Sequence, residues 1–393
     1  MATRLAATRR PHTAPAPSTT DFAVDVFGYL PRTDQRQWAH AYLRGLLDTP
    51  GKKTVRQMAK AVTSSPGGAQ ALQQFISASP WDWTTAREML ARKAADALPQ
   101  HVWTVGTAVE EKRGNHSVGV HRRFVPRLGR TLNCRIGVGL FLTSAAQSIP
   151  VDWTLLLDEA WTLDEERRRR ARIPDDVAAR PVWADILHLV DRAAALRLSG
   201  AAPLVVDLGV SADVARLTEG LAQRERDFVV EVRPDQPLVM ARPDLADATS
   251  AVRPAPLTAR RLLDRPTRTG RTQPHEGIRH LNATSSLVRL AGAHPTSPAA
   301  QRTYRLIREQ GTDGQQPSRF WITSMPKLRA GDVLALTRRP LRTAAALREL
   351  ESDFGMLDFE GRSFPGWHHH MTLTSAAYTY GRLRAAAQER YSA

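Results

Sequence analysis

A single carboxylate stands where a short apolar run stops. Residues 202–206 lead into Asp207, and Gly209 follows. Such an acid can cap the next helix, close a strand or give oxygens to a hard divalent cation. One carboxylate alone is a weak cation site, so its chemistry depends on the acids brought near it. His368, His369 and His370 form a second candidate, because imidazole suits transition metals. Adjacent residues at a helix start point in different directions, however, so they rarely converge on one ion. Arg167–Arg170, preceded by Asp164, Glu165 and Glu166, reads either as a solvated helical face or as a phosphate contact. Trp81, Trp83 and Trp367 read as core before they read as base-stacking residues. Cys134 is the one cysteine, which excludes an intrachain disulfide and a cysteine-based zinc site.

Elements must position these groups, and composition bounds them. The chain has 393 residues, enough for two or three domains. Hydrophobic residues make up 42% and charged residues 24%, which places it in the soluble globular class. A net charge of +16 calls for a polyanion, and nucleic acid is the default. Lysine occurs only at positions 52, 53, 60, 93, 112 and 327, so nearly all the positive charge is arginine. A GC-rich genome also raises arginine for reasons unrelated to binding. No apolar run approaches the roughly 20 residues of a membrane span. Arg4, Arg9 and Arg10 precede no apolar h-region, so the first twenty residues are not read as a secretory signal. Pro11, Pro15 and Pro17 mark a disordered tail over 1–20. The expectation is a cytoplasmic, nucleoid-associated protein with no membrane partner.

Residues 21–100 read as helical. Trp38, Ala41, Leu43, Leu46 and Leu47 recur near helical spacing, and 57–62 and 69–76 continue the pattern. Asp82 or Thr84 is the N-cap of a helix over 84–98. Arg44, Lys52, Lys53, Arg56 and Lys60 give this module a basic edge, suited to duplex DNA or simply solvated. Strands follow over 102–105, 117–120 and 135–142. A helix over 183–198, a strand over 202–206, a helix over 212–221 and a strand over 228–232 complete a mixed α/β core. Residues 240–316 are rich in Pro, Thr, Arg and Gly with weak periodicity. A strand at 320–323, helix over 333–354 and a C-terminal helix over 370–391 close the chain.

Several segments carry a family resemblance. They are Ala41-Tyr42-Leu43-Arg44-Gly45-Leu46-Leu47, Ser79-Pro80-Trp81-Asp82, and Lys112-Arg113-Gly114 with Ser117-Val118-Gly119-Val120 and Arg122-Arg123-Phe124. The run 167–177 and Phe359-Glu360-Gly361-Arg362-Ser363 ending in Gly366-Trp367-His368-His369-His370 complete the set. Together they resemble bacterial insertion-sequence transposases of the Asp-Asp-Glu (DDE) class, from about 25 to 388. The resemblance implies an RNase H-like core, with a β-rich or irregular insertion before the last catalytic helix. It also implies DNA contacts by Arg113, Arg122, Arg123 and Arg362, with His368 near DNA or in packing.

The catalytic acids implied by the resemblance fall unevenly. Asp207 matches the second. Gly106 takes the place of the first and Ala344 that of the third. Pro340 and Glu351 occupy the places of the Arg and Lys that flank the third acid. Strand cleavage of this class needs two divalent ions about 4 Å apart, each held by carboxylate oxygens. Glu110 and Glu111 lie some 13–17 Å beyond Gly106 along an extended strand. Glu351 lies about 10 Å from Ala344 along a helix. Neither reaches an unchanged site. Glu360 is a fallback acid only under a different register.

The fold expected is mixed α/β. Its parts are a helical DNA-binding domain at 21–100, an RNase H-like core over 101–239 and 317–393, and an insertion at 240–316. The function expected is a transposase-like DNA-binding protein that has lost strand cleavage, a regulator or a transposon remnant. The alternative is an active transposase with an atypical site on Asp207, which would need Mg or Mn; otherwise no cofactor is expected. A third reading reuses the fold for a partner other than nucleic acid. Double-stranded DNA is the expected partner, bound by a homodimer.

Overall fold

The computed structural model describes residues 18–98, 100–198, 202–207, 213–241, 255–264, 283–291, 297–310 and 317–392. Most of the expected tail, and 242–254, 265–282, 292–296 and 311–316 of the expected insertion, lie outside them.

Helices open the described chain: α1 (Thr19–Phe27), α2 (Thr33–Asp48), α3 (Val55–Val62), α4 (Gly68–Ser77) and α5 (Trp83–Ala97). Local chemistry starts them. Asp82 accepts from the backbone N–H groups of Thr84 and Thr85, which caps α5. Thr54 and Gln57 form a capping box on α3. Ala39, Tyr42, Leu43 and Leu46 give α2 one buried stripe.

A long hairpin system follows: β1 (Val102–Glu111), β2 (His121–Val125), β3 (Arg130–Thr143) and β4 (Ser148–Leu155). Then come α6 (Glu159–Thr162), α7 (Glu165–Ala171), α8 (Val182–Ala195), β5 (Leu204–Val206), α9 (Val214–Gln223) and β6 (Phe228–Val232). β7 (Pro237–Met240), β8 (Leu257–Thr258), α10 (Ala259–Asp264), β9 (Ala283–Leu290), α11 (Pro298–Gln301), β10 (Tyr304–Glu309) and β11 (Arg319–Thr323) continue the sheet and its cover. The last helices are α12 (Ala330–Leu336), α13 (Arg339–Ser352) and α14 (Phe364–Ser392).

The strands form one sheet in the order β2-β3-β1-β5-β6-β11-β10-β9-β7-β8, with β4 also on β3. β1, β3 and β4 are antiparallel, while β5 and β6 run parallel to β1. Antiparallel strands followed by parallel ones with helical crossovers make a mixed, RNase H-like α/β core. One layer of core joins α8–α11 to the sheet. On the other side α1–α5 share a core with α13 and α14.

From Phe364 through Tyr380 α14 carries no Asp, Glu, Lys or Arg on any face and is buried, apart from the half-buried Pro365. A helix without a charged face belongs inside a protein. Its buried hydroxyls are satisfied internally: Thr372, Ser375 and Thr379 each donate to the carbonyl four residues back. β3 admits this helix and its neighbours through glycine. A Cβ at Gly137 would lie 2.7 Å from the Trp367 ring of α14, and one at Gly139 2.6 Å from the Trp153 ring of β4.

Two expectations are corrected here. Residues 117–120 form a turn instead of a strand, and the strand begins at His121. The Val120 N–H donates to Ser117 O at 3.2 Å and the Val118 N–H to Arg362 O at 3.1 Å, so neither bond goes to a neighbouring strand. The C-terminal helix begins at Phe364, which puts His368–His370 inside its second turn and not at its start.

Candidate active site and nucleic-acid interface

α13 lies across β1. Pro340 sits at its first turn, where no backbone N–H is needed. Pro340, Thr343, Ala346, Leu347 and Leu350 form its buried face. Thr343 is anchored by hydroxyls: its Oγ1 lies 2.6 Å from Thr104 Oγ1 and 3.1 Å from Ser148 Oγ. Thr143 Oγ1 completes the group, 2.7 Å from both Thr104 and Ser148. This neutral polar cluster ties α13 to β1, β3 and β4.

Gly106 allows that approach. A Cβ there would lie 2.8 Å from Leu347 Cδ1 and 2.9 Å from Thr343 Cγ2. Gly106 on β1, Asp207 at the end of β5 and Ala344 on α13 line one cavity of about 560 Å³. Val138, Pro340 and Leu347 supply other walls.

Asp207 is engaged elsewhere. Its Oδ2 lies 2.6 Å from Nη2 of Arg319, at the start of β11. The same guanidinium forks onto Glu231 of β6, with Nε–Oε1 2.8 Å and Nη2–Oε2 2.9 Å. Burial pushes the Glu231 carboxyl up, Arg319 pulls it down, and Asp207 beside it pushes it up again. Arg319 rides over the Trp321 ring at 4.5 Å. Trp321 Nε1 donates to Glu309 at 3.3 Å, and Glu309 pairs with Arg338 just before α13.

Glu110, the nearest acid along β1, is buried and paired with Arg135 and Lys112. Glu360 lies on a loop 3.6 Å from Lys52. Among the described residues no three His, Cys, Asp or Glu side chains gather as a metal-binding group. Two divalent ions need several carboxylates. The cavity offers a hydrogen at Gly106, a methyl at Ala344 and an Asp207 already paired with an arginine. These residues do not fit the metal pair.

The expected DNA contacts separate into two groups. Arg44, Lys52, Arg56, Lys60, Arg113, Arg122 and Arg362 are exposed, and Arg123 is half-buried. Arg44 is paired with Asp48 at 3.3 Å. Lys52, the 112–118 turn and Arg362 meet around the 358–363 segment, through the Lys52–Glu360 pair and the Val118–Arg362 bond. Arg172 joins them, with Nη2 3.1 Å from Ser363 Oγ. Two of the expected DNA contacts are buried instead. Lys53 is only 5% exposed: its Nζ donates to Thr49 O, and its backbone N–H to Asp358 at 2.7 Å. Such a lysine pins the α2–α3 corner and cannot meet a phosphate. His368 is also 5% exposed, stacked on Trp83 at 4.7 Å with Nδ1 3.1 Å from the buried Arg87.

The other two histidines are equally internal. His370 Nδ1 meets Tyr42 OH at 3.0 Å, and its Nε2 meets Gly355 O at 3.1 Å. His369 stacks on Trp81 and faces the carbonyls of Ile76 and Trp81. Burial holds both rings at about 4. Sequence reasoning missed Glu231, Glu309, Arg319 and Arg338. They stand on different elements, and no local spacing links them.

Residues 25–295 match the family model described as DDE superfamily endonuclease, and the chain belongs to that family. Membership implies DNA as the class of substrate. The match ends before α13, so Ala344 and the 358–370 segment lie beyond it. A search of curated proteins gives no match to the chain. No helix among the described residues is long and apolar enough to cross a membrane.

Proposed function

We propose that this chain is a transposase-like DNA-binding protein that has lost metal-dependent strand cleavage. One observation carries the reading: Gly106 and Ala344 line the cavity beside Asp207, whose carboxylate is bound to Arg319. A catalytic pair of hard cations has too few oxygen ligands there. The +16 charge, the exposed Lys52, Arg113 and Arg362 around the 358–363 segment, and family membership support duplex DNA as the partner. Such a protein would act in the cytoplasm, on the nucleoid, as a regulator at transposon ends or as a remnant, and would bind as a homodimer.

Two measurements test it. Fluorescence anisotropy should show duplex binding that weakens steeply with salt, because bound cations return to the phosphates. A supercoiled-plasmid assay with Mn²⁺ should show no nicking. Nicking that disappears in Asp207→Ala would establish an active enzyme with an atypical site. No binding even at low salt would end the DNA reading.

A further inference from the structure

The residues around Asp207 reject a metal pair, yet they are far from inert. Val205 and Val206 of β5 pair with Val229 and Val230 of β6. Asp207 and Glu231 therefore follow side by side on parallel strands. Two like charges so placed repel, and a partly buried pair needs a cation between them. Glu231 pairs across to Trp321 of β11, and Arg319 stands two residues earlier on the same face. From there one guanidinium reaches both acids, with contacts of 2.6, 2.8 and 2.9 Å. Trp321 holds the guanidinium from below at 4.5 Å and donates to Glu309, whose partner Arg338 adjoins α13. Three carboxylates thus face two guanidiniums at the ends of the central strands, which leaves little negative charge for added cations.

We infer that Arg319 is the resident cation of this site: it bridges Asp207 and Glu231 and keeps the pair closed to divalent ions. The inference rests on the reading that cleavage is lost, and gives that loss a second physical cause beyond the two absent acids. An arginine fork is suited to the task because its planar donors match two carboxylates at once, and it stays charged at every accessible pH. Restoring acids at positions 106 and 344 would then not restore a metal site while Arg319 is present. Removing Arg319 would leave Asp207 and Glu231 unneutralised, and a hard divalent cation is the natural replacement.

The test uses the full chain as wild type, Arg319→Gln, and Arg319→Gln combined with Glu231→Gln. Bound Mn²⁺ is counted by electron paramagnetic resonance, and melting is followed with and without Mn²⁺. Wild type should bind no ion and melt unchanged. Arg319→Gln should bind one ion and melt several degrees higher with Mn²⁺, because binding only the folded state stabilises it. The double variant should lose that response. Arg319→Lys keeps a point charge without the fork; it should melt lower than wild type and bind no Mn²⁺. This variant decides the matter if Arg319→Gln does not fold, and a Lys variant melting like wild type would overturn the bridge. So would Mn²⁺ binding by wild type, or a folded Arg319→Gln that ignores Mn²⁺. Wild type that nicks DNA would sink the proposed function too. Inactive wild type beside a metal-blind Arg319→Gln would sink this inference alone.

Discussion

The 358–370 segment and the Gly106–Asp207–Ala344 cavity differ in how their polar groups are used. In the first, Lys53 binds Asp358, Lys112 donates to Phe359 O at 2.8 Å, and His369 and His370 find carbonyl or hydroxyl partners. Arg87 reaches Thr372, Asp152, Trp153 O and His368 from one buried guanidinium. In the second, two of the three positions carry no polar side chain, and the third is paired with Arg319. The 358–370 segment is thus built into the core, whereas the cavity carries one acid among residues 106, 207 and 344. Packing and catalysis ask different things of a chain. Burying a polar group requires a partner, so the whole network stands or falls together. A position that faces a cavity has no such network to satisfy.

The largest expected effect breaks the packed region. Arg87→Ala removes a buried guanidinium from Asp152 and His368 and should cost about 3–5 kcal/mol in urea denaturation. A loss below about 1 kcal/mol would mean that the two regions do not differ as described.

Acid sharpens the same contrast. His369 and His370 are held at about 4, below the ordinary value of about 6.5, chiefly by burial. The unfolded chain takes up protons that the folded chain refuses, so their stabilisation is complete above about pH 6.5 and is lost as pH falls toward 4. The slope is on the order of 1.4 kcal/mol per pH unit for each ring. Asp185 and Glu231, both pushed up to about 7 chiefly by burial, work in the opposite direction over that window, but His368, held well down by burial, adds a third ring against these two carboxyls. Melting temperature should fall between about pH 6.5 and 4.5, and fall less in His369→Gln.

Substitutions in the cavity should have the smallest effects, and unequal ones. Gly106→Asp drives a carboxylate against Leu347 and Thr343 and should cost about 2 kcal/mol or more. Ala344→Glu, at a half-buried position beside open space, should cost less than about 1 kcal/mol. Thermal melts of both variants compare them directly. Equal costs would show that Gly106 and Ala344 face similar surroundings, contrary to the observed approach of α13.

Much of the chain was legible in advance because its signals are local. Asp82 before Thr84 and Thr85, and the apolar spacing of α2, describe helices without help from the rest of the molecule. The absence of acids at 106 and 344 is likewise a fact of composition. Ser117–Val120 misled because β-favouring residues there turn back on themselves, and the Val118 N–H bonds to Arg362, far along the chain. Lys53 misled because a lysine next to Lys52 looks exposed until the 358 loop covers it.

The sequence by itself determined the mixed α/β class, the run of N-terminal helices and the single acid among residues 106, 207 and 344, since each depends on residue type and short-range period. Only the tertiary structure decided what Asp207 does. Its partners Arg319 and Glu231 come from separate strands, joined by sheet order and register. Ion pairs across strands follow from which residues face one another in space, and no local pattern records that.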